Sequence, residues 1–151
     1  MRPGCPARIA SWWRHPGGYR RAVNQAGIVP TNKSDVAAAE RAVALGWPGV
    51  EPVISELLKW IQDYNWPVAH TLAPFLASVG RPLAPYLRPI LEGDDELWKY
   101  WVIDAVLVDA PDELVEEVTP LLVRIADHPT PGEQANELDK AAAAALGRGR
   151  D

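Results

Sequence analysis

From Val29 onward, apolar residues recur every three or four positions in blocks of a few turns, and each block is closed by glycine, proline or a small polar cluster. That period is helical, and seven such blocks follow one another. "NKSDVAAAERAVALG" has Ser34 or Asn32 as N-cap and Gly46 as stop. "PGVEPVISELLKWIQD" sets Val50, Val53, Ile54, Leu57, Leu58 and Ile61 against Glu51, Glu56, Lys59 and Gln62. "NWPVAHTLAPFLASVG" begins with Asn65 as N-cap, carries Pro67 in its first turn and ends at Gly80, and "RPLAPYLRPILEG" runs from Pro82 to Gly93. Pro74, Pro85 and Pro89 lie inside these two patterns, so kinked or short helices are expected there.

The fifth block is "GDDELWKYWVIDAVL", the sixth "PDELVEEVTPLLVRIAD" and the seventh "PGEQANELDKAAAAAL". Alternating β-branched and aromatic runs bounded by hairpin turns are nearly absent. The expected fold is all-α, about seven helices in antiparallel pairs.

The fifth block is apolar almost all round. At helical spacing Trp98, Trp101, Val102, Ala105 and Val106 make one face, and Ile103, Leu107 and Tyr100 make the other, which predicts a continuous helix from Asp95 to Val108 buried on two sides. Asp94 is expected to cap it, Asp95 and Glu96 to sit at the positive end of its dipole, and Asp95 to pair with Lys99 four residues on. Asp104 interrupts the apolar surface, so a buried acid with a partner is expected, either an indole or tyrosine hydrogen bond or an ion pair with Arg81, Arg88 or Arg124.

An internal repeat adds order to these helices. Placing Trp66 on Trp98 aligns Ala69 with Trp101 and Phe75 with Leu107, and after one residue of slip Pro89-Ile90-Leu91 falls on Pro120-Leu121-Leu122. Such a helix-turn-helix unit, 31–32 residues long, is short for the HEAT/armadillo class but of its kind, and predicts a right-handed α-solenoid-like stack. In that stack Asp63, Trp66, Asp95, Trp98 and Lys99 would line one end, with Asp104 in an adjoining groove, as a surface for a protein partner.

Composition narrows the setting. With 151 residues, 48% of them hydrophobic and 23% charged, the chain suits one globular domain. Residues 1–27 mix Pro, Gly and Arg without a period and are expected to be a poorly ordered extension, of the kind an upstream start codon would add; 28–147 is the domain and 148–151 a disordered tail. The net charge of −5 is divided: residues 1–29 hold five arginines (Arg2, Arg8, Arg14, Arg20, Arg21) and no acid, so the rest carries −10. An acidic body repels nucleic acid and anionic membranes and favours neutral or basic partners. No apolar run is long enough to span a bilayer and no secretory signal stands at the N-terminus, which points to the cytoplasm.

Chemistry-bearing motifs are scarce. Cys5 is the only cysteine, which excludes an internal disulfide or a Cys-pair metal site, and His15, His70 and His128 have no two-His spacing. Ser11, Ser34, Ser55 and Ser78 sit in no nucleophile elbow, and no glycine-rich phosphate loop occurs. No cofactor and no catalytic residue are therefore expected.

"AAAERAVALGWP", "LLKWIQDYNWPVA", "DDELWKYWVI" and the closing "HPTPGEQANELDKAA" together resemble the bacterial family known as domain of unknown function 5071, over about Ile28 to Leu146. The resemblance implies a compact HEAT-like helical domain and no established activity; small acidic helical proteins of this type sometimes act as immunity proteins against secreted toxins. The expected function is thus a non-enzymatic protein-interaction module, of the immunity type if its partner is a basic toxin. Two other classes compete with it: an enzyme with a carboxylate-held metal at Asp94, Asp95 or Asp104, and nucleic-acid contact through the arginine arm "SWWRHPGGYRR".

Overall fold

A computed structural model describes residues 27–148; the expected extension and tail therefore fall almost wholly outside the described residues. All regular structure among them is helical. The α-helices are α1 (Val36–Leu45), α2 (Ile54–Leu58), α3 (Pro67–Val79), α4 (Ala84–Leu91), α5 (Glu96–Trp101), α6 (Asp112–Asp127), α7 (Pro131–Ala135) and α8 (Leu138–Arg148). Turns of 3-10 helix, Glu51–Val53, Lys59–Ile61, Arg81–Leu83 and Leu107–Asp109, and one π-helical turn, Val102–Val106, lengthen several of them.

The caps differ from expectation in an instructive way. Asp35, not Ser34 or Asn32, caps α1: its carboxylate accepts from the Ala38 N–H and also from the N–H and hydroxyl of Thr31. The Thr31 N–H, working against the desolvation of the carboxyl, holds the Asp35 pKa below its usual value. Asn32 instead accepts from the Ser34 N–H, and so folds the turn before the helix. Trp66, not Asn65, occupies the N-cap of α3, because Pro67 at the first helical position fixes the entry without a side-chain acceptor.

Prolines shorten the helices less than expected. Pro74 lies inside α3, Pro89 inside α4 and Pro120 inside α6, and all three are exposed. Each costs one hydrogen bond on a face where water can solvate the freed carbonyl, while the opposite face (Val68, Leu72, Leu76 in α3; Leu87, Leu91 in α4) stays buried and holds the helix together.

The helices pack side by side through a few extensive contacts. α1 lies beside α3, α3 beside the π turn that continues α5, and α5 with that turn beside α8. α4 packs on α6, and α6 lies along α8. Leu57, Leu72, Leu76, Leu87, Ile103, Leu107 and Leu114 are fully buried between them. No described helix is long and apolar enough to cross a membrane.

Gly80 ends α3 at φ 77°, ψ −149°, a region only glycine occupies without strain, and a Cβ there would stand 3.0 Å from the Glu113 carboxylate oxygen. Gly147, inside α8, has nothing within 4 Å of such a Cβ. Gly80→Ala should therefore lower stability by about 1–3 kcal/mol in urea unfolding, whereas Gly147→Ala should leave it unchanged or raise it slightly. Equal midpoints for Gly80→Ala and the parent would contradict the helix stop described.

Candidate functional site

The charged group that organises this end of the molecule is one that sequence reasoning passed over. "TPGE" folds as a capping box: Thr130 accepts from the Glu133 N–H, and the Glu133 carboxylate accepts from the Thr130 N–H at 2.9 Å. That carboxylate is 0% exposed. Arg124, from the last turns of α6, grips it with two bonds of 2.6 and 2.8 Å, and Lys99 of α5, only 3% exposed, donates to it at 3.3 Å. Burial by itself raises the Glu133 pKa, but the Arg124 guanidinium, the Thr130 N–H and the Lys99 ammonium outweigh it and hold the group at about 2.

Lys99 thus departs from the expected exposed ridge and from the expected pairing with Asp95. Its attraction to Glu133 sets how α5 is turned. At roughly 100° per residue, Leu97 and Trp101 stand about 160° away from Lys99, and Tyr100 and Trp98 about 100° away on either side. The observed burial follows: Leu97 is 51% exposed, and Trp98, Tyr100 and Trp101 are half-buried. Trp101 is therefore not the core wedge that an all-round apolar helix suggests.

The remaining expected site residues separate into two groups. Trp98 turns inward, and its indole N–H donates to the Leu58 carbonyl at 3.0 Å, satisfying an oxygen at the C-terminus of α2. Trp66 meets the neighbouring Trp60 edge-on at 5.7 Å. Asp63 accepts from the Asn65 N–H in a local turn. Asp95, not Asp94, caps α5 by accepting from the Trp98 N–H at 2.9 Å. These residues brace the loops around α2, α3 and α5.

Asp104 lies outside that group. Expected to be buried with an aromatic or arginine partner, it is exposed, because the π turn draws Val102, Ile103 and Val106 to the core and leaves it outward. The three candidate arginines are engaged elsewhere: Arg81 and Arg88 pair with Glu117, and Arg124 with Glu133. The charge of Asp104, followed by burial and by Glu137, raises the Tyr100 pKa.

Beside Asp104 runs an aromatic row drawn from three elements. His70 of α3 lies against Tyr64 with ring centroids 4.3 Å apart, Tyr64 stacks on Trp101 at 5.6 Å, and Tyr100 meets Trp101 edge-on at 5.0 Å. His70 is exposed and the other three rings are half-buried. Nothing local in the sequence signals the Tyr64–Trp101 stack, which joins residues far apart along the chain. The capping box was legible as Thr-x-x-Glu, but not its two cations.

Among the described residues no group of three or more His, Cys, Asp or Glu side chains converges to hold a metal ion, and Asp94, Asp95 and Asp104 form no such set.

Because the folded Glu133 pKa of about 2 lies below the ordinary 4.5, the stability it supplies is complete above pH 4.5 and is lost as the pH falls through 4.5 towards 2. The shift corresponds to about 3 kcal/mol. Glu133→Gln should cost about 3–5 kcal/mol at neutral pH by leaving Lys99 buried and unpaired, and should flatten the acid limb of a stability–pH curve relative to the parent. Parallel curves for the two proteins would refute this placement. As a cap, Asp95→Ala should cost about 1 kcal/mol and Asp94→Ala little or nothing, measured by thermal melting.

None of the curated proteins compared with the chain matches it. One family profile does, that of a domain of unknown function, over residues 28–146. The chain, over those residues, belongs to the DUF5071 family.

Proposed function

We propose that this chain is a non-enzymatic protein-binding module of the cytoplasm, a HEAT-like helical stack whose contact surface is the outer side of α5 with the aromatic row beside it. The observation that carries this reading is that the exposed Leu97 and the half-buried Tyr100 and Trp101 share one helical side, and that the two rings continue into Tyr64 and His70. Large rings that keep part of their area in water, anchored by neighbours from other elements, are the residues that dominate protein interfaces. Their rigidity is supplied by the buried Lys99–Glu133–Arg124 cluster behind them. The contacts of α1 with α3 and of α3 with the turn that continues α5 support the stacked-repeat description.

The acids at the row's edge, Asp104 and Glu137, favour a basic partner over an acidic one. A toxin domain neutralised by an immunity protein is one partner of that kind. Asp63, Trp66, Asp95 and Trp98 take the supporting part, holding the loops from which the surface is built.

Affinity capture from the native cell should recover one stoichiometric protein with the parent chain. Leu97→Asp, at a 51% exposed position, should lose that protein while melting at an unchanged temperature. Recovery of the same partner by both chains, or of none by either, would count against this surface.

A further inference from the structure

Asp104 stands out among the acids of this region. It makes no hydrogen bond or ion pair with a described residue, whereas Glu117, Glu133 and Glu137 each hold a cation of the same chain. It lies exposed on the π turn, three residues beyond Trp101 and four beyond Tyr100, close enough for its charge to raise the Tyr100 pKa. A π turn inserted in a helix is energetically poorer than α-helix and is frequent at functional positions. Here the turn buries three apolar side chains, Val102, Ile103 and Val106, and leaves one acid exposed near Tyr100.

Half-buried rings with a carboxylate close to one of them, Tyr100, have the chemistry of a site for a planar cation. A guanidinium stacks on aromatic rings, is weakly hydrated, and donates two parallel N–H bonds to one carboxylate. An ammonium does neither as well, being a compact and strongly hydrated point charge. The charge of the chain agrees: from residue 30 onward it carries −10, and Lys99, Arg124 and Lys140 are each paired with a carboxylate of the chain.

Resting on the protein-binding reading above, we propose that this surface takes an arginine side chain from a basic partner segment, the guanidinium packing against the half-buried Tyr100 and Trp101 rings and its N–H groups donating to Asp104. Glu137 lends a second, longer-range attraction from the turn between α7 and α8, reduced by its bond to Lys140. Leu97 supplies apolar contact for the residue flanking that arginine.

The probe is a fluorescently labelled Gly-Arg repeat peptide, with Gly-Lys and Gly-citrulline repeats of the same length, read by anisotropy against the full chain. Arginine should bind several-fold more tightly than lysine, and citrulline should not bind. Asp104→Asn should weaken the arginine peptide about ten-fold, the size of one lost charge-assisted hydrogen-bond pair, with an unchanged melting temperature because Asp104 has no structural partner. Trp101→Leu should weaken it as well, and Glu116→Gln on α6 should not. Equal binding of the arginine and lysine peptides, or equal losses in Asp104→Asn and Glu116→Gln, would reduce the effect to general charge attraction and overturn the proposal. Binding that appears only when residues 1–26 are removed would overturn it too, by making the chain's own arginine segment the occupant. Failure of every peptide, with capture of a partner still sensitive to Leu97→Asp, would reject arginine recognition and leave the protein-binding surface standing.

Discussion

One carboxylate, Glu133, has no exposed atom and three sources of positive charge or N–H around it, and the placement of α5, α6 and α7 follows from satisfying it. Taking an ion out of water costs several kcal/mol unless its hydrogen bonds are replaced. Arg124 replaces two with the planar geometry that suits a carboxylate, the Thr130 N–H replaces a third, and Lys99 contributes the charge that makes the cluster net positive. Such a cluster adds less to stability than its short distances suggest. Its larger effect is on specificity, since any other rotation of α5 or path of α7 leaves a buried charge unmatched.

The break between α7 and α8 is the clearest consequence. In a straight helix, Glu133 would stand roughly 130° round from the stripe of Leu138, Ala141, Ala142 and Ala145, so the acid and the apolar stripe could not both face the interior. The chain resolves this at Asn136 and Glu137, the latter with φ at +60°, an uncommon conformation for a non-glycine residue. The seventh block therefore forms two helices where its periodicity predicted one. A similar conflict shapes the fifth block. Four apolar residues must reach the core from α5's continuation while Asp104 stays wet, and the wider π turn accommodates both.

These two places are where the sequence-level account and the structure part. Helix positions, the glycine stops at Gly46 and Gly80, and Pro67 at the start of α3 rest on interactions within a few residues, and all were legible. Caps were less so: Asp35 and Asp95 displaced the neighbouring Ser34 and Asp94, because a one-residue shift in the cap changes local preference little while the helix's required rotation decides it. Lys99 was read as exposed because lysine is rarely buried without a partner, and its partner lies 34 residues away. Trp101 was read as core because an apolar helix without a known orientation offers no inside or outside.

The all-α class, the rough extent of the helical blocks and the acidic body are properties of periodicity and composition, and the sequence alone carries them. Which side of α5 faces inward, which acid is buried and which is presented, and that Tyr64, His70, Tyr100 and Trp101 form one surface are decided by tertiary structure. The reason is physical: a helix forms from bonds four residues apart, but its rotation about its own axis is set by what it must satisfy on its neighbours, here a glutamate from a distant turn.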